Sequence, residues 1–141
     1  MLAKELTDST CVRPVDDDTF LRTLRENAYG NDHLVALSAY MSAVGNETRL
    51  RILFVLWQAG ELCVCELADI FGITQPAVSR HLKILREKGL VETRRDAQTI
   101  YYKLFTANPF ARMLARFFAE QEAEHVTLKF DVQQDVKSDT A

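Results

Sequence analysis

The chain has 141 residues, of which 48% are hydrophobic and 26% are charged. This length and composition predict one globular domain with tails and exclude a disordered chain. No apolar run approaches the ~20 residues of a membrane span, and residues 1–6 lack the apolar stretch of a secretory signal. The sequence therefore predicts a cytoplasmic protein with no membrane partner. The formal charge of −3 excludes no class of partner by itself, because a net charge hides how the charges are distributed.

Residues 1–30 predict an N-terminal arm followed by a short helix. The first 15 residues show no periodicity, which indicates a mobile arm, and this arm carries Cys11. Three consecutive aspartates at positions 16–18 favour the start of a helix, and we expect this helix to end at Gly30.

Residues 31–126 predict the folded domain, which begins with two helices. The first starts near Asn31 and ends at Gly45, with one apolar stripe along its length. The second runs from Glu47 to about Gln58 and is apolar around much of its circumference, as a central helix would be.

A helix-turn-helix and a β-hairpin follow. The two helices run from Cys63 to Phe71 and from Thr74 to Lys88, with a glycine in the turn between them. In this motif the second helix enters the major groove of DNA. Two β-rich runs, residues 90–95 and 99–104, are joined by a polar connection and predict a hairpin that serves as a wing.

A last helix from about Asn108 to His125 is predicted from apolar residues at helical spacing, and segment 127–141, which is polar from Val132 onward, is expected to be a flexible tail. The fold class is therefore mainly α with a small β-hairpin, a winged helix-turn-helix.

The second helix of the motif and the hairpin predict a DNA-reading surface. Residues 74–95 contain six basic and two acidic side chains, a local charge of +4. Glutamine can pair with adenine, arginine can grip guanine, and Ser, Thr and Lys can contact phosphates. The alternative is that these are solvated charges on an ordinary amphipathic helix. The candidate DNA-binding residues are Thr74, Gln75, Ser79, Arg80, His81, Lys83, Arg86, Arg94 and Arg95.

Three segments together resemble the ArsR/SmtB metalloregulators: NETRLRIL at 46–53, ELCVCEL at 61–67 and QPAVSRHL at 75–82. The resemblance covers roughly residues 32–125, and the Cys-Val-Cys box resembles the site called α3N in that family. It implies a homodimer, formed through residues 32–44 and 108–125, that represses a metal-resistance operon and leaves its operator when metal binds. A symmetric dimer predicts an imperfect inverted repeat in the operator.

Cys11, Cys63 and Cys65 are the candidate metal ligands. An odd number of cysteines in a reducing compartment makes a disulfide framework unexpected and leaves metal or redox chemistry open. Residues i and i+2 lie about 200° apart on a continuous helix, so Cys63 and Cys65 can share an ion only at a helix end. Gly60 and Glu61 indicate that Cys63 lies at or before the first turn, where thiolates are favoured.

A third thiolate from Cys11 would complete a trigonal S₃ set, which suits As(III) or Sb(III) and equally Pb(II), Hg(II), Bi(III) or, with an added oxygen, Cd(II). Asp16 or Asp17 could supply an oxygen. Within the family, the Cys-x-Cys pair alone resembles the arsenite sensors. An arm cysteine used with the pair resembles the cadmium and lead sensors, which carry a second arm cysteine that this chain lacks. We therefore expect As(III) or Sb(III) as inducer, with no constitutive cofactor.

Other interpretations remain open. Cys63 and Cys65 could be small buried apolar residues, and Cys11 a stray thiol. A thiol redox regulator would share every DNA-binding feature, and a winged-helix protein-interaction module would share the fold without an operator. An enzyme is not expected, because the sequence has no glycine-rich phosphate loop and no convincing nucleophile with a base.

Overall fold

The structure is a computed structural model that describes the backbone of residues 17–138 and the side chains of residues 18–124. The predicted arm, with Cys11 and Asp16, and the side chain of Asp17 lie outside the described residues. The chain divides into two units, Met1–Ala36 and Leu37–Ala141.

The first unit contains helix α1 (Asp17–Tyr29) and the beginning of helix α2 (Asp32–Val44). The N–H of Gly30 donates to the carbonyl of Glu26 at 2.8 Å, which closes the last turn of α1. The side chain of Asn31 accepts the N–H of His33 at 3.0 Å and caps the start of α2. Both helices occur where the sequence predicted them.

The second unit contains the rest of α2 and four further helices among the described residues. Asn46 caps α3 by accepting the N–H of Arg49 at 3.1 Å. The core of the unit includes fully buried side chains from α3, from α4 and from α5. Because α3 contributes Ile52, Leu53 and Leu56, it is the central helix that its all-round apolar character predicted. The four helices are α3 (Glu47–Ala59), α4 (Val64–Phe71), α5 (Gln75–Glu87) and α6 (Pro109–Ser138).

The described residues form a three-stranded antiparallel sheet from β1 (Leu62–Cys63), β2 (Val91–Asp96) and β3 (Thr99–Leu104), in the order β1-β3-β2. The predicted hairpin is β2 and β3, paired from Val91 with Leu104 to Asp96 with Thr99. The two residues left between these strands make the turn, and the first of them, Ala97, has a positive φ of 53°. That backbone conformation matches the twist of a two-residue hairpin.

Strand β1 was not predicted, and the helix expected from Cys63 starts one residue later, at Val64. Two residues are too few to show the alternation that marks a strand. They are extended because they pair with the wing, Leu62 with Tyr102 and Cys63 with Tyr101. A partner 38 or more residues away leaves no local signal in the sequence.

The last helix is also longer than predicted, because α6 continues to Ser138 instead of ending near His125. The sequence suggested a flexible tail from residue 127, and the structure is helical over most of that segment. No glycine or proline follows Pro109 within the helix, so nothing in the backbone requires an end at 125. Apart from this extension and β1, the predicted mainly α architecture with a small wing is confirmed.

Asn108 is a buried polar residue that joins three elements of the second unit. Its Oδ1 accepts the N–H of Phe110 at 2.9 Å and so caps α6, while its Nδ2 donates to the carbonyl of Gly89 at 3.1 Å. The same nitrogen lies 3.4 Å from the hydroxyl of Tyr40 on α2. Asn108 therefore links Gly89, two residues past the end of α5, to the start of α6.

We expect Asn108→Ala to lower the free energy of unfolding by about 2 kcal/mol, because it removes a helix cap and leaves the Gly89 carbonyl without its donor. Denaturant unfolding at fixed protein concentration measures this loss. Asn108→Ser is the matched control, since its hydroxyl oxygen can still cap α6 while the amide donor to Gly89 is lost, and we expect a smaller loss. Equal stability of wild type and Asn108→Ala would contradict this role.

Candidate DNA-reading face and cysteine site

The turn between α4 and α5 is set by two residues with different roles. Gly72 has a left-handed backbone, with φ 61° and ψ 34°, which ends α4 at little steric cost. Thr74 caps α5, because its hydroxyl accepts the N–H of Ala77 at 3.3 Å. The two helices are therefore joined by a short, defined connection, as the helix-turn-helix prediction required.

Helix α5 is sharply two-sided. Val78, Leu82 and Leu85 have no exposed surface and belong to the core. The opposite side presents five of the predicted DNA-binding side chains to solvent, on the element that the motif places in the major groove. These exposed residues are Gln75, Ser79, Arg80, Lys83 and Arg86.

His81 differs from its neighbours on the same helix because its side chain is half-buried. Burial lowers the pKa of His81, and the positive charges of Arg49 and Arg80 lower it further. The imidazole is therefore largely neutral at pH 7. Neutral imidazole offers DNA a hydrogen bond but no charge, so His81 is a weaker phosphate ligand than the basic residues around it.

The two arginines of the wing have different surroundings. Arg94 donates to both carboxylate oxygens of Glu61, at 2.6 and 3.1 Å, and its guanidinium lies 4.9 Å from the centre of the Tyr101 ring. The hydrogen bonds from Arg94 also lower the pKa of Glu61. Arg95 is exposed, and it forms no ion pair with any described side chain. Of the two, Arg95 is the one free to meet a phosphate.

A groove between α5 and the wing strand β3 adds one residue that the sequence pattern did not single out. It is lined by α5 side chains, including Lys83 and Arg86, and by Tyr102 of β3. Tyr102 packs against the core cluster, as does Leu104 two residues later. The period-2 alternation of the wing strand places both on the helix-facing side, and this signal could have added Tyr102 to the candidate surface.

The Cys-Val-Cys box lies at the junction between β1 and α4. Cys63 is the N-cap of α4, with an extended backbone at φ −89° and ψ 169°, and its N–H donates to the carboxylate of Glu66 at 2.8 Å. Cys65 is the second helical residue and is exposed, and its sulfur accepts a hydrogen bond from Gln75 Nε2 at 3.5 Å. The predicted non-helical position of Cys63 is confirmed.

The donor set suits a soft, thiophilic ion, since two free thiols stand at the start of one helix and neither is fully buried. Because Cys65 is exposed, the alternative hypothesis that this residue is a small buried apolar side chain is excluded. The described side chains contain no group of three His, Cys, Asp or Glu that could hold a metal. The predicted third ligand, Cys11, lies outside them, as do the acidic groups considered for an oxygen.

The family model described as bacterial regulatory protein, arsR family, matches residues 46–93. The arsenic resistance transcriptional regulator ArsR1 of Pseudomonas putida is 42% identical over 66 residues, which cover 47% of this chain and 52% of that protein. The cadmium resistance regulatory protein CadC homolog of Staphylococcus aureus is 32% identical over 100 residues, 70% of this chain and 81% of that protein. The chain spans about half the length of the first of these relatives.

A solved structure is also similar: the homodimeric winged helix-turn-helix DNA-binding domain from Mycobacterium bovis, described as a possible ArsR-family transcriptional regulator. It has a TM-score of 0.53 and 31% identity, and the match covers 72% of this chain and 84% of that one. The fold and the exposed basic helix define a winged helix-turn-helix regulatory protein.

The chain belongs to the ArsR/SmtB family, as the resemblance of its three segments implied. Its relatives are transcriptional regulators, which confirms the prediction that it is not an enzyme. None of the described helices is both long enough and apolar enough to cross a membrane.

We expect Arg80→Ala to raise the pKa of His81, because it removes one of the two positive charges that disfavour the imidazolium. The pKa should stay below the ordinary histidine value, since burial is the larger cause. An NMR titration of the imidazole proton measures the shift, with Arg86→Ala on the same helix as the control that leaves it unchanged. An identical His81 titration in wild type and Arg80→Ala would contradict this picture.

The lowered pKa of His81 also makes the stability of the protein depend on pH. The unfolded chain takes up the His81 proton at a higher pH than the folded one, so the free energy of unfolding falls as the pH drops below the ordinary histidine range. His81→Gln should remove this part of the acid sensitivity, measured as the difference in unfolding free energy between pH 7 and pH 5.

Proposed function

We propose that the protein is a transcriptional repressor that binds operator DNA as a homodimer and is released when a thiophilic ion binds its cysteine thiolates. The ion we propose is As(III) or Sb(III), held by Cys63, Cys65 and Cys11. The observation that carries this proposal is the position of the Cys-Val-Cys box at the first turn of the helix that opens the helix-turn-helix. An ion bound there acts on the element next to the reading helix.

The names of the relatives support an inducer of this chemical class. They describe regulators of arsenic resistance and of cadmium resistance, and both ions prefer thiolate ligands. Two cysteines in the box and one in the arm give three thiolates, which matches the three bonds of As(III) or Sb(III). Cd(II), Pb(II), Hg(II) and Bi(III) are the alternatives that the same donor set allows.

Exposed apolar side chains on the first and last helices of the second unit support the homodimer. Met41 of α2 is 55% exposed, while Met113 and Phe117 of α6 are 50% and 53% exposed. Large side chains at this level of exposure gain free energy when a second subunit covers them. The proposed interface is formed through residues 32–44 and 108–125, and a similar domain of known structure is homodimeric.

The surroundings of the cysteines support coupling to DNA. Cys63 pairs with Tyr101 in the wing, and Arg94 of the wing is bound to Glu61 just before the box. The Cys65 end of the box contacts α5 through Gln75. A ligand shifts an equilibrium only as far as it binds two states differently, so the ion must favour a dimer that fits the operator less well.

Cys63→Ser and Cys65→Ser should each keep operator binding and lose release by As(III), because a hydroxyl replaces a thiolate ligand. Fluorescence anisotropy on DNA from upstream of the gene measures both properties on one sample. Cys11→Ser tests the third ligand in the same way. Release by As(III) that survives both changes in the box would contradict the proposed site.

Arg95→Ala should weaken DNA binding and reduce the slope of log K against log salt by about one for each subunit, because one phosphate contact is lost. Arg94→Ala should change the slope less, since Glu61 already neutralises that guanidinium. Arg95→Lys is the matched control that keeps the charge. A larger slope change in Arg94→Ala than in Arg95→Ala would reverse the assignment of the two residues.

A further inference from the structure

One contact joins the proposed inducer site directly to the proposed base-reading surface. Gln75 is the first residue of α5, and its Nε2 donates to the sulfur of Cys65 at 3.5 Å. Both side chains are exposed, so neither is placed by burial in the core. Cys63 is held differently, by pairing with Tyr101 and through its backbone N–H to Glu66.

The chemistry of the amide allows this contact and DNA reading at the same time. A glutamine side chain has two N–H donors and one carbonyl acceptor. Bidentate pairing with adenine uses the carbonyl and one N–H. The second N–H is left over, and it is the donor that the sulfur of Cys65 can accept.

We propose that Cys65 is a positioning residue for Gln75 in addition to a ligand for the inducer. This inference rests on the proposed function. In the ion-free protein the sulfur holds the Gln75 amide at the start of α5, where it can face a base edge. An ion shared with the other thiolates draws the Cys65 sulfur toward them, so the sulfur moves away from the Gln75 amide and this hydrogen bond is lost.

The inducer chemistry balances without an oxidant or reductant. When arsenite reacts with a thiol, an As–S bond replaces an As–OH bond, and the thiol proton leaves with the hydroxide as water. The sulfur keeps two lone pairs in this product, so the hydrogen bond to Gln75 is lost because the sulfur changes position and not because an acceptor disappears. The two cysteines of the box are then unequal, since both bind the ion and only Cys65 orients a DNA-reading side chain.

The test compares serine and alanine at both cysteines in the ion-free, reduced protein, with affinity for the upstream DNA measured by fluorescence anisotropy. We expect Cys65→Ala to weaken binding by about threefold to tenfold, the range of one lost hydrogen bond. Cys65→Ser should stay near wild type, because its hydroxyl still accepts a hydrogen bond. Cys63→Ala, the matched control, should stay within about twofold of wild type, since no hydrogen bond joins the described Cys63 and Gln75 side chains. The double variant Cys65→Ala with Gln75→Ala should bind no more weakly than Gln75→Ala alone.

A second readout needs no DNA. The side-chain amide resonances of Gln75, assigned by their loss in Gln75→Ala, should shift in Cys65→Ala and on addition of arsenite to wild type. They should keep their positions in Cys63→Ala. Thermal unfolding at one protein concentration checks that each variant is folded.

The outcomes separate this inference from the proposed function. If the wild-type protein binds DNA and is released by arsenite, and Cys65→Ala binds DNA as tightly as wild type, the positioning role of Cys65 is overturned. The proposed repressor function would then still stand. Equal losses in Cys63→Ala and Cys65→Ala would overturn the positioning role as well. Absence of DNA binding by wild type would overturn the proposed function, and unchanged Gln75 amide resonances in Cys65→Ala would independently overturn the contact.

Discussion

The pairing of Cys63 with Tyr101 is the constraint on which the arrangement of the site depends. This pairing keeps the backbone of Cys63 extended, and the helix begins immediately afterwards at Val64. On a continuous helix, residues two apart point about 200° away from each other and could not share an ion. At a strand-to-helix junction this restriction is lifted, so the two-residue strand makes the Cys-Val-Cys spacing usable.

The same junction ties the cysteine box to both parts of a DNA-binding surface. On one side, β1 is hydrogen-bonded to β3, and the wing residue Arg94 forms an ion pair with Glu61. On the other side, α4 leads through Gly72 and the Thr74 cap into α5. Because the core holds the buried side of α5, movement at the start of α4 is expected to act on the ends of the reading helix rather than unfold it. Binding of an ion at the box is then expected to affect DNA binding through elements that adjoin the box.

The sequence predicted much of this architecture, because strong local signals mark most of its elements. The two helices of the motif and the glycine turn between them follow helical periodicity and turn chemistry. The two-residue strand β1 was missed because its partner lies far away in the sequence. The sequence does not predict the extension of α6, because a polar segment without a glycine or proline is compatible with both a helix and a tail.

At the site, residue types and spacing predicted the exposed face of α5 and the position of Cys63 before the first helical turn. They could not predict that Arg94 forms an ion pair with Glu61 whereas Arg95 forms none with a described side chain, since both arginines look alike in the sequence. The half-buried state of His81 and the contact between Cys65 and Gln75 depend on how α4 and α5 meet in three dimensions. Such differences come from tertiary packing, which a pattern of residue types does not record.

The proposed function requires that a thiophilic ion at the cysteine box releases the protein from DNA. Fluorescence anisotropy of the reduced wild-type protein on its own upstream DNA, titrated in turn with As(III), Sb(III), Cd(II), Pb(II), Hg(II) and Zn(II), tests it most directly. We expect binding in the absence of ions and dissociation at low equivalents of As(III) or Sb(III). Tight binding that is indifferent to every one of these ions would contradict it.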